Sequence, residues 1–236
     1  GYLLRQCQNL FQLVTMAGTT RNFRWTICAL VFFATTINYL DRAVISLLKG
    51  ELETIFDWSE NDYANIVVAF QLTYAIGLLL SGRVMDRLGT KLGYMITLTG
   101  WSLAAMAHAL VGNTAGFIAA RAGLGLTEAG NFPVAIKTMA EWFPTNERAF
   151  ATGIFNAGAS IGPILAPLLV PLIAVNYGWK MAFLLTGASG LVWLIFWWFL
   201  YEVPERHPRL SPEELHMIRA GQFSADNEEK LEPPRW

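Results

Sequence analysis

From Tyr63 to Gly82 the chain runs for twenty residues without a charged side chain. At 1.5 Å per residue, a helix of that length matches the roughly 30 Å hydrocarbon core of a bilayer. Five comparable apolar runs follow the same rhythm: about Trp25 to Leu48, Leu92 to Val111, Ala115 to Ala135, Ala149 to Val175 and Met181 to Tyr201. Composition agrees, since 15% of the residues are charged and mean hydropathy is +0.38; a soluble domain carries about 25% charged residues. The expected fold is an all-α membrane protein with six transmembrane helices across residues 25–201. A polar segment, 1–24, precedes the bundle, and a charged, proline-punctuated segment, 202–236, follows it. In the latter, Ser211-Pro212-Glu213-Glu214 reads as the start of a short soluble helix, with serine at the cap and proline first.

The totals exclude several classes. A net charge of −1 offers no concentrated basic face for nucleic acid. Cys7 and Cys28 are far apart, so neither a disulfide framework nor a CxxC metal site is in view, and no cofactor is expected. The first apolar run is too long, and lacks the small-residue site, for a cleavable signal peptide. Met16 reads as a natural start; Gly1 to Thr15 is read either as upstream or non-native sequence or as a short interfacial helix around Leu10 to Val14. Lys and Arg sort the ends of the spans. Arg21, Arg24, Arg83, Arg87, Lys91, Lys137, Arg148, Arg206 and Arg209 fall on one side, expected to be cytoplasmic with both termini, against Lys49 and Lys180 on the other.

Charge inside the runs is sparse, and that makes it informative. No Asp, Glu, Lys or Arg occurs from Leu92 to Ala120, yet Arg121 and Glu128 follow in the fourth span. Seven residues apart, they share a helix face. An ionisable side chain at mid-bilayer costs roughly 2.5–3.5 kcal/mol even on the mildest scale, and such residues mark function by default. Gly123, Gly125 and Gly130 permit close helix approach, so this face should meet protein or a wet cavity rather than lipid. Asn38, Asp41 and Arg42 interrupt the first span on nearly one face, and Gln71 and Tyr74 do so on the second. Helical rise places Asp41 roughly 25 Å from Arg24, Arg121 roughly 10 Å below Thr114 and Glu128 roughly 20 Å below it. An Asp41–Arg121 pairing is expected in at least one state. The plainer reading is a structural ion pair that locks the bundle. His108 is expected outward on the third span and partly wet, and Pro163, Pro167 and Pro171 should kink the fifth.

Gly158-Ala159-Ser160-Ile161-Gly162 and Gly187-Ala188-Ser189-Gly190 fit nucleophile patterns of serine hydrolases. Both need a histidine base, and His108 has no acid partner in view. Spaced small residues are the ordinary helix-packing signal, which is the preferred reading.

Gly82, Asp86, Arg87, Gly89 and Lys91 stand where the loop between the second and third helices of the major facilitator superfamily carries its signature. Gly82 would allow close helix approach, Gly89 would make the turn, and Asp86 would sit at a helix start whose dipole favours an anion. Arg121, Gly125 and Glu128 resemble the family's fourth-helix motif, and Gly158-x-x-x-Gly162-Pro163 its fifth. Asn38-Tyr39-Leu40-Asp41-Arg42, with Glu141-Trp142-Phe143-Pro144-x-x-Glu147-Arg148, resembles the anion:cation symporter branch, and within it the hexuronate transporters.

The resemblance implies half of a twelve-helix fold, built as two inverted three-helix repeats. The chain then looks like an N-terminal half, a fragment or a split product, whose partner is a missing C-terminal six-helix half. It implies proton-coupled symport of an organic anion, a sugar acid such as a hexuronate, by alternating access, in a bacterial inner membrane. Arg42 offers a planar fork to a carboxylate. Tyr39, Gln71, Tyr74 and Asn156 can bond hydroxyls, while Asp41, Arg121 and Glu128 form a tunable set for proton coupling. Asp86 and Arg148 read as a gate latch by resemblance, with a helix-cap role as the plainer alternative. The competing function is a membrane partner or sensor subunit that transports nothing.

Overall fold

The structure is a computed structural model that describes the backbone from 22 to 231 and side chains from 22 to 221. Met16, the Leu10 to Val14 stretch, Cys7 and Arg21 lie outside the described residues. What is described is nearly all helix. The elements are α1 (Phe23–Leu47), α2 (Lys49–Phe56), α3 (Glu60–Ala107), α4 (Thr114–Glu128), α5 (Asn131–Trp142), α6 (Thr145–Tyr177), α7 (Trp179–Leu200), a 3-10 turn (Pro204–Arg206) and α8 (Pro212–Leu231).

Four of these, α1, α3, α6 and α7, are each long and apolar enough to cross a membrane. α3 has 48 residues, so a straight helix would measure about 72 Å, over twice the bilayer core. Gly89 resolves this with φ 74° and ψ 165°, a left-handed excursion that a side chain would resist. α3 is therefore two spans reversing at one glycine. Its start is fixed by a capping box, with the Ser59 hydroxyl accepting from the Asp62 amide and the Asp62 carboxylate accepting from the Ser59 amide.

The fourth span is also made differently from the expectation of one helix. α4 and α5, at 15 and 12 residues, are each too short to cross alone, and together they make the span. Pro133 has no amide hydrogen for the carbonyl of Ala129, four residues earlier. The helix breaks there, at Ala129 and Gly130, one residue past Glu128. In α6, Pro163, Pro167 and Pro171 lie inside one helix that runs from Thr145 to Tyr177. They recur every fourth residue on one exposed face, so the carbonyls they leave unbonded line up away from the packed face of Gly158, Gly162, Ala166 and Val170.

Small residues set the helix contacts, as expected where lipid tails remove the hydrophobic drive for helix association. A Cβ at Gly158 would lie 2.6 Å from the Phe32 carbonyl, and one at Gly162 2.6 Å from that of Thr36, which seats α6 on α1. A Cβ at Gly77 would meet the Leu126 carbonyl at 2.7 Å, seating the first half of α3 on α4. Gly187 does the same for α7 against the second half of α3, 2.8 Å from the Ser102 carbonyl. Span one thus packs on span five, span four on span two, and span three on span six. That exchange pattern is what two three-helix repeats of opposite topology require.

Two apolar clusters form, one around Phe23, Tyr94, Trp101, Trp142 and Trp197, the other around Leu52, Phe117, Val170 and Phe183. His108 belongs with the second, which overturns its expected wet, outward position. It is fully buried, stacked on Phe183 at 4.9 Å, with Nδ1 2.8 Å from the Ala104 carbonyl.

The end of the bundle where α1 starts is closed by charge. Arg24 lies inside the first turn of α1, not in a polar leader, and binds Glu147 at 2.9 Å and Glu214 at 2.8 Å. Glu214, buried on α8, also accepts the amides of Phe23 and Arg24. A residue 190 positions away therefore caps the first helix. Tyr201 and Thr90 both donate to the Glu141 carboxylate, at 2.5 and 2.6 Å, tying three span ends together.

Candidate functional site

α1, the first half of α3 and α4 converge on a cluster of charge within the apolar bundle. Gly125 brings them together, because a Cβ there would collide with the carbonyl of Phe70 and sit 2.5 Å from the Thr73 hydroxyl. The turn of α4 that carries Arg121 and Glu128 is thereby pressed against the turn of α3 that carries Phe70 and Tyr74.

At the centre, the Arg42 guanidinium grips one oxygen of Glu128, with Nη2 at 2.9 Å and Nε at 3.0 Å. The Glu128 side chain is fully buried, while that of Arg42 keeps 27% exposure. Three aromatic rings surround the same guanidinium: Tyr39 at 4.7 Å, Tyr74 at 4.7 Å and Phe70 at 4.9 Å from ring centroids. These distances are within cation–π range. Arg121 is buried and donates Nη2 to the backbone carbonyl of Arg42 at 2.9 Å. Its Nε and Nη1, the second oxygen of Glu128, and both oxygens of Asp41 are buried without a hydrogen-bond partner. Asp41 lies beside Thr186 of α7 and within electrostatic reach of Glu128 and Arg121.

In this structure, then, the ion pair between the first and fourth spans is Arg42–Glu128 rather than Asp41–Arg121. Arg121 still reaches the first helix, through a carbonyl. Tyr39 and Tyr74 join the cluster, and Gln71 is exposed beside them on α3. Asn156 does not join it. Gly162 packs level with Tyr39, and Asn156 lies six residues earlier on a parallel helix, which sets it about 13 Å from the level of Arg42 at helical rise. The cluster is backed on its inner side by Tyr94, whose hydroxyl donates to Asn131 at 2.9 Å; Asn131 in turn reaches Thr35 at 3.4 Å. No group of His, Cys, Asp and Glu suited to a metal ion occurs among the described residues.

The signature loop is corrected in two places. Asp86 precedes the Gly89 reversal, in the last turn of the first half of α3, so it faces the negative end of a helix dipole and not a helix start. Lys137 offsets this by binding Asp86 at 3.1 Å while also bonding the Met85 carbonyl at 3.2 Å. Arg148 does not meet Asp86. It donates to the carbonyls of Ala140 and Phe143 and so caps the end of α5. Gly82 has open space around it, with no helix pressed there, and Arg87 is exposed. Lys91 binds Glu202 at 3.0 Å.

Phe70, Lys137 and Asn131 are the residues that sequence reasoning passed over. An apolar ring in an apolar span carries no signal of its own. Lys137 stands in the sequence as one of the basic residues that sort the span ends, with nothing to mark Asp86 as its partner.

Six helices in paired three-helix repeats, with an ionic cluster where spans one, two and four meet, are half of a secondary-transporter fold. The chain belongs to the Major Facilitator Superfamily, whose profile matches residues 31–231. A galacturonate transporter of Dickeya chrysanthemi is 38% identical over 202 residues, covering 86% of this chain and 59% of that protein. A hexuronate transporter of Escherichia coli K12 is 36% identical over 202 residues, covering 86% of this chain and 47% of its own length. The inward-open xylose transporter XylE from E. coli superposes with a TM-score of 0.69 at 17% identity, over 86% of this chain and 56% of that one, which shows the shared fold. The chain spans about half the length of the curated relatives it matches.

The family and these relatives are transporters and not enzymes. The two serine patterns serve packing. A Cβ at Gly190 would collide with Ser102, and the Ser189 hydroxyl donates to the Thr186 carbonyl at 2.6 Å.

Proposed function

We propose that this chain supplies the N-terminal six helices of a secondary active transporter that carries an organic anion, a sugar acid of the hexuronate kind, together with protons by alternating access. One observation carries the reading: Arg42 is held by three aromatic rings and a single carboxylate oxygen, and it retains an open side. A guanidinium so held can exchange the Glu128 carboxylate for the carboxylate of a substrate without moving far. Tyr39, Tyr74 and Gln71 supply hydroxyl-bonding groups beside it, and Asn156 would contact only a ligand lying deeper in the chamber.

Proton coupling follows from the same exchange. When Arg42 turns to substrate, Glu128 loses its counter-charge in a dry site, and a proton on Glu128 restores neutrality. Asp41, buried beside Thr186 and near Glu128 and Arg121, is a second station for that proton. Arg121 holds α4, which carries Glu128, against α1 through the Arg42 carbonyl. Six further helices would complete the chamber, with both termini and the segment 202–236 on the cytoplasmic side of a bacterial inner membrane and lipid around the bundle. The Gly82–Lys91 turn, with Asp86, Arg87 and Gly89, and the Arg148 cap would stiffen the cytoplasmic end where the gate forms.

The test is binding of a hexuronate to the purified transporter. Arg42→Ala should weaken affinity at least tenfold, the scale of a charge-assisted pair. Wild-type affinity in that variant would overturn the carboxylate assignment.

A further inference from the structure

We propose that Phe70 is a positioning residue for the anion site, one aromatic ring that carries two guanidinium groups. The proposal rests on the transport reading above. Its ring is almost wholly buried, 4.9 Å from the Arg42 guanidinium and 5.2 Å from that of Arg121. It also stacks on Tyr74 at 5.7 Å, with 20° between planes.

Two positive groups that share a dry site repel one another. The faces of an aromatic ring carry negative quadrupole density, so a ring that both guanidinium groups approach attracts both. Beyond the charges of Glu128 and Asp41, Arg121 is held by one hydrogen bond. Nη2 bonds the Arg42 carbonyl, while Nε and Nη1 are buried without a hydrogen-bond partner. The backbone that carries the ring is fixed, because the absent side chain of Gly125 lets the backbone of α4 press on the Phe70 carbonyl.

The consequence concerns the step in which Arg42 releases Glu128. At that moment the Arg42 Nε hydrogen bond to Glu128 and the Nη2 ion-pair contact are lost, and the aromatic contacts keep the guanidinium aimed at the incoming carboxylate. Phe70 acts through Arg42 and touches neither the substrate nor the proton. Electron density on its ring should therefore set anion affinity, and turnover only secondarily.

The experiment replaces Phe70 in the intact transporter with mono-, di- and trifluorinated phenylalanine, which keep the shape of the ring and drain its face of charge. Hexuronate KM and exchange rate are read in proteoliposomes, with Arg42→Ala and Phe70→Leu alongside. The expected result is a stepwise rise in KM with each fluorine, reaching about three- to thirty-fold, with the maximal exchange rate changing less. Phe70→Leu should match the trifluorinated ring. A flat KM across the fluorinated series, with Arg42→Ala still defective, would overturn the role of Phe70 and leave the transport reading in place. Wild-type binding in Arg42→Ala would instead remove that reading, and the proposal with it.

Discussion

Arg42 and Glu128 stand 86 positions apart in the sequence and meet through two contacts, 2.9 and 3.0 Å, to the same carboxylate oxygen. The other oxygen of Glu128 has no hydrogen-bond partner. This asymmetry is the structural basis of the proposed exchange: one oxygen is held by the group that would bind substrate, and the other is available to a proton. The remaining features of the fold hold that pair in register, and they can be tested separately.

Close packing of α6 on α1 depends on Gly162. A Cβ there would fall 2.6 Å from the Thr36 carbonyl and 2.9 Å from the Tyr39 Cβ. Gly162→Val should destabilise by about 1–3 kcal/mol, because backbone cannot yield as a flexible side chain can. Gly153→Ala on the same helix meets nothing within 4 Å and should be neutral. Thermal unfolding in detergent distinguishes the two, and equal melting temperatures would contradict the packing argument.

α8 is docked by the buried Glu214 carboxylate, by Ile218 in the apolar core and by a hydrogen bond from the Thr145 hydroxyl to the Gly221 carbonyl. Glu214→Ala removes acceptors from the Phe23 and Arg24 amides and leaves the Arg24 guanidinium with Glu147 as its one carboxylate and Asn22 beside it. Loss of one partner from a buried ionic site costs on the order of 3 kcal/mol. Amide exchange in residues 212–221 should accelerate markedly, while the exchange of α3 stays slow. Unchanged protection there would show that α8 is held by other contacts.

His207 makes that docking sensitive to acid. It stacks on Phe23 at 4.2 Å and lies 5.3 Å from Trp142, with Nε2 3.1 Å from the Leu200 carbonyl and Nδ1 accepting the Arg209 amide. Burial pulls its pKa below the ordinary 6.5, assisted by Arg209 and Lys91, while the Leu200 carbonyl and Glu202 act in the opposite sense. A depressed folded value means that the docked state favours the neutral ring. Its contribution is present above the unfolded value of about 6.5 and is lost as pH falls through the folded one. The protection of amides in residues 212–221, corrected for the intrinsic exchange rate, should therefore fall between pH 7 and about pH 5. His207→Gln should flatten the dependence, and an unaltered slope in that variant would assign it elsewhere.

The spans were legible because bilayer thickness fixes run length, and the packing motifs because glycine is the residue that lets backbones touch. Both are local facts. What the sequence could not supply was rotation about each helix axis. Asp41 and Arg42 are neighbours in the chain yet point about 100° apart, so depth alone could not say which of them faces Glu128. The same ignorance of azimuth misplaced His108, which stacks inside against Phe183. Asp86 was misplaced by a few residues, since Gly89 alone makes the reversal and leaves it on the earlier helix. Glu214 read correctly as an acid in the first turn of a helix, but nothing near it in sequence points to α1.

Uphill uptake and exchange, measured side by side in proteoliposomes carrying Glu128→Gln, test the central claim most directly. Gln keeps the shape of Glu128 and cannot carry a proton. The account predicts that hexuronate exchange persists while accumulation driven by a proton gradient is abolished. Accumulation at the wild-type level would contradict it.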